Sequence, residues 1–343
     1  MRLRYIALGC TLTGALGCLA LPPGAARAES RAVGPTTLTM TAPATVVYGA
    51  DVVIQGQLKF GKAAASAQTT VDVTRTGAGT PTKTFTEHTG STGGFTLTDK
   101  DPAKAHYTYT AKFAGDSTEA AATASAQVTV EMIKPKLTIS APATSYAYGA
   151  KVKFTITLGP TFSDRKVSLL ASPYGEKPQT VATGTVDAQG KWYATYSITR
   201  KTTFTVFFAG DSHNSPNNAH VVLQAGAKVA DRITGYFKQA KIGGITYDVF
   251  HGNGTLTLYS TVYPAKHGEC LEPESQQLDG KSWDADTKYG CDQLDAKSHD
   301  TAPFTLSQAA GDRYRIRGDY IRNTKDLGNL NEQGPWLYFE VVK

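Results

Sequence analysis

LTMTAPATVVYGADVVIQGQL, residues Leu38 to Leu58, comes back as LTISAPATSYAYGAKVKFTITL, residues Leu137 to Leu158. A second pair follows the first, since YTYTAKFAGDS from Tyr107 returns as TTFTVFFAGDS from Thr202. The repeat unit is about 95 residues long. Apolar and polar residues alternate in both blocks, as Val152, Phe154 and Ile156 do in one run and Phe204, Val206 and Phe208 in another. A period of two places alternate side chains on opposite faces of an extended chain, the pattern of a half-buried strand. Gly93-Gly94, Ala188-Gln189-Gly190 and the Ala-Gly-Asp triplets supply turns at short intervals, and no run keeps a helical period.

Composition points the same way. Only 19% of residues are charged, threonine, alanine and glycine are abundant, and leucine is scarce. That balance disfavours long helices, because β-branched threonine and valine lose rotamer freedom in a helix and suit a pleated sheet. Units of about 95 residues built from short alternating strands read as two-sheet β-sandwiches. In Asp116 and Asp211 we expect carboxylates that bond their own turn backbone rather than a cation.

Four marks give the chain a resemblance to bacterial Ig-like domain repeats of secreted and cell-surface proteins. They are the Ala-Pro-Ala-Thr opening, Tyr-Gly-Ala before an alternating strand, a Gly-aromatic turn (Gly94-Phe95; Gly190-Lys191-Trp192), and Phe-Ala-Gly-Asp-Ser closing a late strand. The resemblance covers Thr37 to about Gln224 and implies an Ig-like fold. It implies no particular activity, because the fold hosts many unrelated ones.

The N-terminus carries a targeting signal. Arg2 and Arg4 precede the apolar run Ile6–Leu21, and Ala26-Arg27-Ala28 offers a cleavage site before Glu29. The apolar run is shorter than the ~20 residues needed to span a bilayer. Residues 1–28 are read as a signal peptide, and the mature chain is expected to hold no integral membrane segment. Removing Arg2, Arg4 and Arg27 lowers the formal charge from +6 to +3, which leaves no case for nucleic acid or an acidic membrane surface. Cys10 and Cys18 leave with the signal, and Cys270 and Cys291 are expected to form one disulfide in an oxidising compartment. No apolar tail follows Lys343, so release or non-covalent surface attachment is the expectation.

After the second repeat the opening block is lost, yet strand-like alternation continues. FTLSQAAGDRYRIRGDYIRN lines up with FTLTDKDPAKAHYTYTAKFAGD, matching Tyr314, Ile316, Gly318 and Tyr320 to Tyr107, Tyr109, Ala111 and Phe113. The expected organisation is all-β: three tandem Ig-like β-sandwich domains at 37–131, 136–226 and 231–343, the last one divergent. Short linkers at 131–135 and 225–230 suggest limited hinge motion. By register Gly318 turns inward while Arg317 and Asp319 face solvent beside Arg313 and Arg315. An integrin ligand needs its Arg and Asp splayed on a mobile loop, and a hydrogen-bonded strand does not offer that. Integrin binding through Arg317-Gly318-Asp319 is therefore set aside.

The third domain's distinctive part is an acidic insert from about Pro264 to Thr301, which holds both cysteines. We read it as a disulfide-stapled loop presenting a binding surface, with Trp283, Asp284, Asp286, Asp292 and Asp295 as candidates. Asp284, Asp286 and Asp292 form a lesser cation candidate, because Lys288 and the late Gly290 break the calcium-loop pattern. No metal or other cofactor is assigned. Trp192 and Trp336 occupy strand positions suited to a core, which leaves Trp283 as the candidate for stacking on a sugar.

The chain lacks the sequence motifs of a nucleophile elbow, a zinc protease, a phosphate loop and a dinucleotide fold. Its seven histidines are scattered. The leading reading is a secreted, non-enzymatic interaction, adhesion or spacer protein that binds through its third domain. Its partner would be an extracellular protein or a cell-envelope polysaccharide. A carbohydrate-binding module is the alternative, followed by a small secreted hydrolase.

Overall fold

A computed structural model describes residues 33–307, 311–323 and 325–343. The signal peptide read at residues 1–28 lies outside the described residues. All regular structure among the described residues is strand, with no helix. None could therefore cross a membrane as a helix.

The strands fall into three successive sets. The first holds β1 (Thr36–Thr41), β2 (Thr45–Val47), β3 (Val52–Phe60), β4 (Ala63–Ala64), β5 (Thr70–Gly77), β6 (Lys83–His88), β7 (Gly94–Asp99), β8 (Ala105–Phe113) and β9 (Ala122–Glu131). The second holds β10 (Leu137–Ser140), β11 (Ser145–Tyr146), β12 (Ala150–Leu158), β13 (Lys166–Pro173), β14 (Gln179–Thr185), β15 (Lys191–Ile198), β16 (Thr202–Phe208) and β17 (Asn217–Ala225). The third begins with β18 (Lys228–Thr234), β19 (Lys238–Ile242), β20 (Ile245–His251), β21 (Thr255–Tyr263) and β22 (Cys270–Asp279). It continues through β23 (Ser282–Trp283), β24 (Thr287–Lys288), β25 (Asp292–Gln293), β26 (His299–Thr305), β27 (Arg313–Ile321), β28 (Glu332–Gln333) and β29 (Leu337–Val342).

The described chain forms two compact units. One takes the residues up to Ala44 with Val52–Asp99 and His106–Val128; the other takes Thr45–Asp51, Lys100–Ala105 and Thr129–Lys343. In the first unit β3 lies between β1 and β7, and β9-β8-β5-β6 run side by side. The period-two reading holds here: Val52 and Ile54 on β3, Val71 and Val73 on β5, and Tyr107, Tyr109 and Ala111 on β8 are all buried. Asp99 is buried as well. It is bonded by Arg75 Nη1 at 2.7 Å and the Tyr109 hydroxyl at 2.8 Å, and is ion-paired with Lys83 at 3.2 Å.

In the second unit the same order recurs twice. The sheets β10-β12-β15 and β11-β17-β16-β13-β14 share one core, in which Phe154 and Ile156 meet Leu169, Phe204 and Val206. Later, β18-β21-β26 faces a nine-stranded sheet whose path runs β19-β20-β29-β27-β22-β23. An early strand pairs parallel with the closing strand in every set: Thr45↔Thr129, Ser145↔Gln224 and Asp248↔Phe339. Asp116 and Asp211 bond their own turns, with Asp116 Oδ1 accepting the Thr118 and Glu119 N–H groups and Asp211 Oδ1 those of His213 and Asn214.

Two expectations about the third set need correction. Strand β18 starts at Lys228, ahead of the expected boundary at 231, and Ala227 and Val229 already belong to a core with Val262, Leu271 and Tyr320. The segment 264–301 is also more than an inserted loop. It contains the ten-residue strand β22, paired along its length with β27 from Cys270↔Ile321 to Gln277↔Tyr314. The chain after Asp279 turns back along β22 as a hairpin, pairing with it through β23, β24 and β25.

The third set is fastened to the second by the segment 325–330. Asn329, 0% exposed, donates through Nδ2 to the carbonyls of Thr199 at 2.9 Å and Gly226 at 2.8 Å. Lys201 N–H donates to the Gly328 carbonyl, Leu330 N–H to that of Ala225, and the Tyr174 hydroxyl to that of Lys325. The linker read at 225–230 is thus taken up by β17, β18 and this lock.

Candidate functional site

The nine-stranded sheet has two faces, and sequence candidates occupy both. On the outer face, β22 and β27 set Glu272 opposite Asp319, Glu274 opposite Arg317 and Gln276 opposite Arg315. Arg317 is ion-paired with Glu274, which is 1% exposed, and its Nε lies 3.2 Å from Asp319 Oδ1. Gln333 Nε2 donates to the other Asp319 oxygen at 3.2 Å, and Lys288 pairs with Glu272 at 2.5 Å. Burial raises the Asp319 pKa to about 6, helped by the charge of Glu274 and opposed by Arg317 and Gln333.

The alternation of β27 is as expected, but the solvent-facing reading of Arg317 and Asp319 is overturned. Asp319 is only 4% exposed, because neighbouring strands and side chains cover this part of the outer face. Gly318 faces inward, where its N–H donates to Asp231 Oδ2 at 2.8 Å. A Cβ there would meet the Ser260 hydroxyl at 2.8 Å. Burial raises Asp231 to about 6, against the pull of the Gly318 N–H, the Ser260 hydroxyl and the Arg317 charge.

Trp336 is corrected as well. It packs on the outer face and not in the core, with the guanidinium groups of Arg315 and Arg317 over its ring at 4.3 and 4.1 Å. Arg315 also lies 4.6 Å from the Trp283 ring centroid, so Trp283, Arg315, Trp336 and Arg317 form a stacked series. Such cation–π contacts contribute about 0.5–2 kcal/mol each. They place a cation on Trp283 where a sugar would stack. Trp192 is partly buried against the second set's core, and Gly184 gives its indole room.

Cys270 and Cys291 are joined, with Cα atoms 5.3 Å apart, and the bond ties the hairpin back to β22. The four candidate aspartates have separate tasks. Asp284 Oδ1 accepts the Gln277 N–H at 2.7 Å, and Asp286 accepts Gln276 Nε2 at 2.5 Å. Asp295 accepts the N–H groups of Lys297 and His299, each at 2.8 Å. The His299 bond is the main reason its carboxyl lies below the usual range. Asp292 sits on β25 opposite Leu271. Among the described residues no group of three His, Cys, Asp or Glu side chains could hold a metal ion, so Asp284, Asp286 and Asp292 do not converge as a cation site.

Under the hairpin lies a cleft of about 460 Å³ between the two sheets of the third set. Leu256, Phe304, Leu306, Ile316 and Phe339 make its apolar walls, while Ser275, Gln277, Asp284 and Tyr289 bring polar groups. The Tyr289 hydroxyl meets Ser275 Oγ at 2.7 Å, and its ring stands edge-on to Phe304 at 4.8 Å. At the far end Asp312 Oδ2 accepts the Tyr314 hydroxyl at 3.1 Å and Gln277 Nε2 at 3.3 Å. Burial first, then Asp312 and Asp284, push the Tyr314 pKa up to about 12. Sequence reasoning placed Asp284 near a binding surface but missed Ser275, Tyr289 and Phe304. These come from separate segments, and their only local signal is the inward parity of Ser275 and Phe304 on their strands.

No family model matches the chain. No curated protein matches it either. Among solved structures it is similar to a tetra-tandem repeat from the extending region of a large adhesion protein, at 14% identity and a TM-score of 0.35. That likeness covers 89% of this chain and 74% of the other, and at this score it fixes neither fold nor role.

Proposed function

We propose that the chain is an extracellular, non-enzymatic protein of three tandem Ig-like β-sandwich domains. It acts as an adhesion or spacer element and meets its partner, an extracellular protein or a cell-envelope polysaccharide, through the third domain. The observation that carries this reading is the strand order repeated three times, each time with an early strand parallel to the closing one. Because that order recurs from β18 onward, where sequence similarity is weak, the third set reads as another copy of one architecture.

Two features support the spacer role. Asn329 locks the third set onto the second with no free linker between them, which suits an element that must hold its partner at a fixed distance. The Cys270–Cys291 disulfide suits an oxidising, extracellular setting. In a pull-down from cell envelopes, the full chain should retain a partner that the chain lacking residues 228–343 loses. Equal retention by both would overturn the assignment of binding to the third domain.

A further inference from the structure

We propose that the cleft beneath the disulfide-tied hairpin is a binding site for a protonated amine carried on a compact apolar or aromatic body. This deepens the proposed function by giving the third domain a recognition site, and it rests on that reading.

The argument begins with shape. A cleft of about 460 Å³ lies within the roughly 300–1,000 Å³ typical of small-ligand sites. Apolar Leu256, Phe304, Leu306, Ile316 and Phe339 line it together with polar Ser275, Gln277, Asp284 and Tyr289. Leu256, Ile316 and Phe339 would take up a hydrocarbon or ring without hydrogen bonds. Phe304 and Tyr289, already edge-on, offer an aromatic mouth.

Charge then selects the head group. Among the described residues no lysine, arginine or histidine lines the cleft, whereas Asp284 does, and Asp312 bonds Tyr314 and Gln277. An anion entering this space would meet carboxylates and no compensating cation. An ammonium group would gain a charge-assisted bond at the mouth while its apolar body filled the interior. The hairpin that carries Asp284, Thr287 and Tyr289 is fixed by the disulfide and by the Tyr289–Ser275 bond, so the ligand need not order it on entry.

Two sources supply this chemistry: a free aromatic amine, and the N-terminal residue of a peptide that begins with an apolar side chain. The test is ligand-observed NMR and calorimetry on the full chain with phenethylamine, phenethyl alcohol and phenylacetate. Two further arms use a phenylalanyl dipeptide amide with a free amine and its N-acetylated form. Phenethylamine should bind most tightly and phenylacetate least. Asp284→Asn should weaken the amine about tenfold, the worth of one hydrogen bond to a charged group, and leave the alcohol unchanged. Thr287→Trp, which puts bulk into the cleft from an exposed position, should abolish binding of all probes while the melting temperature holds.

Binding of the free-amine dipeptide but not its acetylated form identifies a peptide end as the source. Binding of phenethylamine with neither dipeptide identifies a small amine. Phenylacetate binding as tightly as phenethylamine, indifference to Thr287→Trp, or no binding of any probe to the folded chain would each overturn the site. If the probes fail while the envelope partner is still retained through residues 228–343, the cleft alone is refuted. If the partner is retained without those residues, the domain assignment fails independently.

Discussion

Arg317 and Glu274 face each other across β27 and β22 and are ion-paired with little access to water. The arginine of the Arg-Gly-Asp tripeptide is thus spent inside the fold, and its aspartate is held beside it by Arg317 and Gln333.

Glu274→Ala should therefore be costly, because it leaves a guanidinium without its counter-charge. Breaking a buried pair from one side costs about 3–5 kcal/mol. Urea denaturation of the purified variant measures it, and a loss below about 1 kcal/mol would mean that the pair behaves as a solvated surface contact. The folded wild-type chain should not compete with an Arg-Gly-Asp peptide for an integrin.

Asn329→Ala should loosen the join between the second and third sets while leaving both folded. The substitution removes buried bonds to Thr199 and Gly226 and strands their carbonyls, a cost on the order of 1–3 kcal/mol per group left unsatisfied. Faster amide exchange at Gly226, Ala227 and Leu330, with unchanged protection in β12 and β16, is the expected outcome. Uniform loss of protection would instead mark Asn329 as part of a single cooperative core.

Stability should fall as the solution is made less acid between about pH 4 and pH 6. Asp231 and Asp319 are held near 6, above the ~3.9 of an unfolded aspartate, so over that window the folded chain binds more protons than the unfolded one. Their favourable contribution is complete below about 4 and is lost as the pH rises through about 6. For Asp231 it amounts to about 2–3 kcal/mol. Asp116, held low by its bonds from Thr118 and Glu119, acts in the opposite sense at still lower pH. Asp231→Asn keeps an acceptor for the Gly318 N–H and should flatten the slope in denaturation curves taken at pH 4.5, 6 and 7.5. An unchanged slope would assign the effect to other groups.

Reducing Cys270–Cys291 should free the hairpin without unfolding the sheet. The bond closes a separation of 21 residues, for which chain entropy gives about 3 kcal/mol. Hydrogen exchange should rise at residues 280–293 and Trp283 fluorescence should shift, while β22 stays protected by β27. Loss of protection along β22 would show that the strand depends on the bond.

Much of this fold was legible because period-two alternation is local. It placed Tyr314, Ile316, Gly318 and Tyr320 on the inner side of β27. What covers the outer side is not local. Trp336 reaches β27 from beyond an intervening loop, and Gln333 bonds Asp319 from β28, so a strand that reads as exposed is covered. Strand β22 was hidden for a related reason, since its acids and Pro273 look like loop composition. The overlooked signal was complementarity: Glu274 and Gln276 alternate with the same period as Arg315 and Arg317, in reverse order. The cleft had no comparable signature, because its walls meet only when two sheets face each other.

The parallel pairing of an early strand with the closing strand in each set has a mechanical consequence. When a chain is pulled by its ends, force enters one such strand at its N-terminal end and leaves its neighbour at its C-terminal end. These ends lie on opposite sides of the pair, so the bonds around Ser145↔Gln224 and Asp248↔Phe339 are sheared together and not peeled one after another. Rupture then requires several to fail at once, the geometry that resists tension.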